Sequence, residues 1–419
     1  MRTRRAFLSG SALAMFGIGG APLWLGRAAQ GTASNSKRQK VLVAIFQRGA
    51  VDGLNTVVPF GEREYYRLRP NLAIPAPSRG SAPGETAIDL DGFFGLHPSL
   101  ASLKPLWDAK ELAIVNAVGS PDPTRSHFDA QDYMEAGTPG VKSTRDGWLN
   151  RAMVDADGHA VSPLRAVAMG PALPRSLRGR ETAVAIDRLD NFQVRNRQAE
   201  GAFSSIYGAS ADSLLQHTGK EAFDAIRIVK QVSAQATRPG APYPNGRLAQ
   251  SLQQIAALIK AGVGLEVAFA DVGGWDHHVN EVGARPSTGQ LANMLRPFGD
   301  ALAAFRKDLG DRFEDVVLVT MSEFGRTARE NGTRGTDHGH ANLMFVIGGP
   351  IAGGKVYGDW PGLAPEQLHE KRDLAVTTDF RQVLGEMVYD HLQNRDTTGL
   401  FPGYTFSPKS FRHIYRGQA

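Results

Sequence analysis

The chain has 419 residues, 42% of them hydrophobic and 21% charged, with 47 Gly, 24 Pro and no Cys. This composition excludes a disordered or collagen-like chain, and the length is enough for one large core or two ordinary ones. Without cysteine there is no disulfide, no thiolate-bound zinc, no iron–sulfur cluster and no thiol nucleophile, so any metal must sit on His, Asp, Glu, Ser or backbone oxygen.

The formal net charge of +5 is concentrated at the start. The first 29 residues hold Arg2, Arg4, Arg5 and Arg27 and no acid, and removing them leaves 43 basic against 42 acidic side chains. A nucleic-acid partner is therefore disfavoured, since no basic stripe with interleaved aromatics remains. Thr3-Arg4-Arg5-Ala6-Phe7-Leu8 is a twin-arginine pattern, followed by an apolar run from Ala12 to Leu25 and small residues around Ala28 and Ala29. A spanning helix needs roughly 20 apolar residues, more than this run offers, so 1–29 reads as an export signal, not an anchor. The expectation is cleavage near Ala28 or Ala29 and passage through the twin-arginine translocase. The mature protein would then be periplasmic or secreted, with no transmembrane segment. A membrane-tethered structural protein is the reading that applies if the signal stays uncleaved.

Residues 30–40 are polar and read as a tether, and 41–419 as one elaborated domain. Val41 to Phe46 is a continuous apolar, β-branched run, the pattern of a strand covered on both faces. Comparable runs follow at Leu112 to Val118, Ala166 to Met169, Leu265 to Ala270, Val316 to Met321 and Leu343 to Ile347. Between them Leu248, Leu252, Ile255, Leu258 and Ile259, and then Leu291, Leu295, Phe298, Leu302, Phe305 and Leu309, fall at helical spacing. Strands alternating with such helices predict an α/β fold with a doubly wound, mainly parallel sheet between helical layers. Residues 61–95, rich in Pro and Gly, are expected to loop over the surface. Residues 171–245 break the alternation and read as a helical cap or an insertion.

In such a sheet, ligands bind beyond the carboxyl ends of the strands. Four strand-end loops carry reactive groups. The first is Gln47-Arg48-Gly49-Ala50-Val51-Asp52-Gly53-Leu54-Asn55, where an ordinary Asp-Gly turn is the competing explanation. The second leads to Ser126-His127-Phe128-Asp129, with Ser126 either a nucleophile at a helix start or simply its cap. The third, Asp271-Val272-Gly273-Gly274-Trp275-Asp276-His277-His278, is the densest cluster of candidate ligands, and its Asp and His suit zinc or manganese. The fourth is Ser322-Glu323-Phe324-Gly325-Arg326-Thr327, joined by Asp337-His338-Gly339-His340 ahead of the last apolar run. If that last strand runs antiparallel to the others, its start shares their edge, and Asp52, Ser126, Asp276, His278, Glu323 and His338 or His340 gather in one place.

These motifs in this order resemble the exported domain of unknown function 1501 family over nearly the whole mature chain. That family is similar to the alkaline-phosphatase-like superfamily of phosphatases, sulfatases and phosphoglycerate mutases. The resemblance implies two divalent metals at the reaction site. It offers Asp52, Asp276, His278, Glu323 and either His338 or His340 as candidate ligands and Ser126 as the nucleophile; in a hydrolase of this kind Arg48, Arg125 or Arg326 would hold the anionic oxygens by bidentate hydrogen bonds. The sequence departs from the superfamily pattern in two places: position 280 is Asn where a His is usual, and Phe324 follows Glu323 where a His is usual. A sulfatase of the usual kind is disfavoured, because there is no Cys and Ser126 lacks the maturation pattern.

Two functions follow. One is an exported metal-dependent hydrolase of phosphate or sulfate esters. The other is a non-catalytic exported binding or assembly protein that keeps the fold with a degenerate metal site.

Overall fold

The computed structural model describes residues 38–153, 162–191, 224–234, 238–405 and 407–416. The signal expected over 1–29, most of the 30–40 tether and parts of the 171–245 segment lie outside them.

Among the described residues the main sheet has nine strands: β1 (Val41–Arg48), β2 (Leu112–Gly119), β3 (Ala166–Met169), β4 (Val184–Ile186), β5 (Val267–Gly273), β6 (Val316–Met321), β7 (Asn342–Gly348), β8 (Lys355–Tyr357) and β9 (Thr378–Asp379). They lie in the order β8-β2-β7-β6-β1-β5-β3-β4, with β9 also pairing with β2. Neighbouring strands pair in parallel except where β7 meets β6 and β2, and there the pairing is antiparallel. The sheet is thus mixed and mostly parallel, as the alternation of strand and helix patterns predicted.

Central β1 shows why these residues form this layer. Successive side chains of a strand point to opposite faces, so a strand covered on both sides must be apolar throughout. Val41, Val43 and Ile45 enter one core with Leu252, Ile255, Leu295 and Phe298. Those partners come from α2 (Arg247–Lys260) and α3 (Gln290–Leu309). Leu42, Ala44 and Phe46 enter the other core with Trp148, Phe380 and Val383, the last two from α4 (Phe380–Glu386). The helical faces named from spacing alone are buried throughout.

One expectation needs correction. Residues 61–95 do not simply loop over the surface: Tyr65, Arg69 and Ile74 are fully buried, and Ile88–Asp89 and Gly95–Leu96 join Val57–Val58 in a small second sheet. The described parts of 171–245 contribute to the main sheet and its core, and the rest of the segment expected to be a cap or insertion lies outside the described residues. They supply β4, and over 224–234 a helix whose Ile228 and Val229 pack with α2 and α3. No helix among the described residues is long and apolar enough to cross a membrane.

Because β7 alone is reversed, its start lies at the edge where β1, β2, β5 and β6 end. The loops that follow those four strands meet the segment leading into β7 along that edge.

Candidate metal centre

Backbone contacts fix these loops before any side chain acts. Gly49 stands at φ +113°, and a Cβ there would lie 2.9 Å from the backbone nitrogen of Asp276, so only glycine lets the β1 and β5 loops approach so closely. The loop after β6 pairs with the approach to β7 through an antiparallel bridge between Arg326 and His338, and Gly339 N donates to the Gly325 carbonyl at 2.8 Å. Trp275, fully buried, donates its Nε1–H to Val272 O at 3.0 Å and anchors the β5 loop from beneath.

Helix α1 (His127–Ala136) follows β2. Ser126 is its N-cap, accepting from Asp129 N at 3.5 Å, and His127 in the first turn points into the gathered loops. The Nε2 atoms of His127 and His338 lie 3.0 Å apart, and those of His278 and His338 lie 3.1 Å apart. Asp276 Oδ1 is 2.9 Å from His278 Nε2 and 3.1 Å from His338 Nε2, while its Oδ2 is 3.4 Å from His127 Nε2. His127, Asp276 and His338 bring donor atoms within 4.8 Å of one another, and His278 leans on two of the three from the more exposed side.

The other ring nitrogen of each histidine shows what these contacts are. His127 Nδ1 is 2.7 Å from Glu323 Oε1, His338 Nδ1 is 3.0 Å from the Arg125 carbonyl, and His278 Nδ1 is 3.2 Å from Asp337 Oδ1. A backbone carbonyl or an ionised carboxylate accepts and never donates, so each Nδ1 carries the proton. Both carboxylates are ionised. Burial alone would raise Glu323, yet hydrogen bonds from His127, Gln131 and Gly49 outweigh it and hold it below its ordinary value. For Asp337, partial burial is likewise outweighed by Asn331 and His278.

In the neutral rings, therefore, every Nε2 turns a lone pair toward the other Nε2 atoms and toward Asp276. Protonating His127, which its bond to Glu323 favours, relieves only its own contacts. His338 resists a proton of its own, because burial and the neighbouring His127 lower its pKa. One cation among these atoms satisfies them together. In tetrahedral coordination with Zn–N bonds of about 2.0–2.1 Å, neighbouring donors are roughly 3.3 Å apart, close to the separations found here. The donor set fits zinc, and the Nδ1 partners are the kind that orient metal-ligating imidazoles.

The residues named from sequence fall into three groups. Asp276, His278 and His338 come together, and Glu323 stands directly behind the cluster, orienting His127 instead of contributing an oxygen to it. Ser126 sits beside the cluster, exposed and capping α1. Arg48, Arg326, Asp52 and His340 are committed elsewhere, which corrects the roles expected for them. Arg48 binds Asp271, Gln131 and Glu135 at 2.8–2.9 Å and pins α1 to the sheet. Arg326 is buried and donates to four backbone carbonyls and to Asp276 Oδ1, leaving its guanidinium no room for an anion. Asp52 is 2% exposed and forms a two-pronged ion pair with Arg69. Burial works against its charge, but Arg69 keeps the carboxyl below its ordinary value. His340 stacks on His369 at 4.4 Å, and burial pushes its pKa down to about 4. Two members were not singled out as ligand or support from sequence: His127 and Asp337. The signal for His127 was present, since it is one of six histidines lying in or near the strand-end loops.

The family described as "Protein of unknown function (DUF1501)" matches residues 84–396. No curated protein matches the chain.

Proposed function

The chain belongs to the DUF1501 family, and we propose that it is an exported, metal-dependent hydrolase of phosphate or sulfate esters on an alkaline-phosphatase-like fold. The observation that carries this reading is the convergence of three Nε2 atoms on the Asp276 carboxylate, each ring oriented through Nδ1. His127, Asp276 and His338 would hold a zinc or manganese ion, with His278 at their exposed side. A few protein ligands with an open side is the arrangement of catalytic metal sites, whereas structural sites are closed. Such a metal would supply Lewis acidity toward the ester oxygens and the attacking oxygen.

The chain's own residues hold, orient and position. Glu323 fixes the His127 ring, and Arg326 fixes Asp276. Ser126 presents an exposed hydroxyl one residue before a ligand and is the candidate nucleophile. Attack by its oxygen would form a bond to phosphorus or sulfur as the ester bond breaks, the hydroxyl proton leaving and the departing alcohol taking up a proton, after which water would cleave the serine ester and restore the hydroxyl. The twin-arginine pattern supports export through that translocase and a periplasmic or secreted location.

One observation favours a second reading, a non-catalytic binding or assembly protein. The arginines suited to an anion are engaged by the protein itself, Arg48 and Arg326 as described and Arg125 with Glu370 and Asp373, and with Asp52 standing apart the described ligands make one metal-grade cluster instead of two.

Metal analysis by mass spectrometry on protein purified without chelator tests the proposal. Wild type should carry near-stoichiometric zinc or manganese, and Asp276→Ala should lose it. Metal-free wild type that also fails to take up added zinc or manganese would overturn the metal reading. With metal present, aryl phosphates and sulfates test turnover, and Ser126→Ala should abolish it while keeping the metal. Absence of turnover in metal-loaded wild type would favour the binding protein.

A further inference from the structure

A cleft of about 250 Å³ lies next to the histidine cluster, and its lining includes Arg67, Arg329, Lys371, Arg372, Glu330 and Asp337. Two of these tie it to the cluster: Asp337 holds His278, and Arg372 Nη2 donates to the His338 carbonyl at 2.9 Å. The acids are occupied. Glu330 accepts from the backbone of Asn71 and Leu72, each at 2.9 Å, and Asp337 accepts from Asn331 and pairs with His278. Arg67 pairs with Glu64, and Arg372 with Asp373. Among the described residues, Arg329 and Lys371 pair with no acid, and both are exposed.

The backbone at Lys371 carries the same message. Glu370 and Lys371 both adopt positive φ, 53° and 56°, in a tight turn closed by His369 N to Asp373 O at 2.9 Å and Arg372 N to His369 O at 3.0 Å. Side chains other than Gly and Asn rarely adopt that conformation, and such strain collects at functional sites.

We propose that this cleft is an anion subsite, so that the ligand of the neighbouring centre carries at least one further phosphate, sulfate or carboxylate beyond the group met by the histidines. The substrate class is then a polyanionic ester. The cleft supplies free cations where the centre itself supplies none, because Arg48 and Arg326 are spoken for. The link to a substrate rests on the hydrolase reading; the existence of an anion site does not.

Calorimetric titration of the mature protein with inorganic tripolyphosphate and with inorganic phosphate tests this, in zinc-loaded and chelator-stripped forms. The variant is the double substitution Arg329→Ala with Lys371→Asn, Asn being tolerated at the Lys371 backbone angle. Two exposed ion pairs lost together correspond to about a tenfold change in affinity. Tripolyphosphate should bind wild type and bind the double variant about tenfold more weakly, while inorganic phosphate, met by the loaded centre alone, is unaffected. A control double variant, Lys307→Ala with Lys409→Ala, removes two exposed cations outside the cleft and should bind tripolyphosphate like wild type. Equal binding by wild type and the cleft variant overturns the subsite. So does an equal loss in the control, which would mark a diffuse charge effect. If stripped protein still binds tripolyphosphate in a manner dependent on Arg329 and Lys371, the subsite stands without metal, and if the protein also takes up no added metal, the metal reading fails alone.

Discussion

Each imidazole of the cluster is held by the nitrogen that faces away from it, and His127 is held hardest. Its Nδ1–H meets a fully buried carboxylate, Glu323, which also accepts from Gly49 N at 2.8 Å, Gln131 Nε2 at 2.9 Å and the Ser322 hydroxyl at 3.2 Å. Four donors around one carboxylate define an ion, so Glu323→Gln removes the charge and sets an amide N–H₂ against groups that themselves donate. Loss of an outer partner of a ligating histidine typically costs 10–100-fold in metal affinity. Glu323→Gln should therefore weaken zinc binding by about that factor, read by competition with a chromophoric chelator, while the near-ultraviolet circular dichroism stays native. Unchanged affinity would reduce Glu323 to a packing residue. This same residue marks where the sequence stopped being informative. Asp276, His278 and His338 could be named as ligand candidates because each sits in a strand-end loop dense in metal-ligand side chains. At the start of α1 the sequence favours Ser126 over its neighbour His127. A cap hydroxyl bends back to its own helix, and the next side chain is the one that faces the loops. The histidine that meets Glu323 comes from 196 positions earlier in the chain, a pairing in space that no local spacing reveals.

At the scale of elements, the strands were legible where physics made them one-dimensional. A strand buried on both faces must be apolar along its whole length, and β1, β2, β3, β6 and β7 announced themselves that way. The reversal of β7 was posed as a condition for the site, and the pairing satisfies it. Short edge strands such as β4 and β8 left no such pattern, and the 61–95 segment hid its buried Arg69 among prolines and glycines because its partner, Asp52, is supplied by the loop after β1. Loop contacts carry the site, and Gly49 is where the β1 loop meets the backbone of Asp276. Gly49→Ala adds a Cβ 2.9 Å from Asp276 N in a backbone conformation unfavourable to alanine. It should lower stability by about 1–3 kcal/mol and reduce bound zinc by pushing the Asp276 loop away. Gly273→Ala, at the end of β5, makes a control, since its Cβ would meet nothing within 4 Å, and it should fall within about 0.5 kcal/mol of wild type. Urea midpoints and zinc content for the pair check this. If both alanines behave alike, close approach at Gly49 is not what positions Asp276.

Across the whole molecule, the start of the central strand is joined to the far end of the chain by one buried ring. His391 is fully buried, and its Nε2–H donates to the Val41 carbonyl at 2.9 Å. Burial pushes its pKa down to about 4, whereas an unfolded His titrates near 6.5. Between those values the unfolded chain holds a proton that the folded chain does not, so stability must fall as pH falls. The contribution is intact above about pH 6.5 and drains away toward pH 4. By linkage, this residue should account for about 2 kcal/mol of lost stability between pH 7 and pH 5. Other histidines titrate in the same window, His97 and His340 among them, each held near 4 by burial, so the isolated quantity is a difference. His391→Gln keeps a donor for the Val41 carbonyl and removes the titration. Urea unfolding at the two pH values should show wild type losing about 2 kcal/mol more than the variant, with metal-linked effects common to both and cancelling. Parallel losses would mean that His391 accepts its proton in the folded protein as readily as in the unfolded chain, and that this junction opens to water well below the global unfolding threshold.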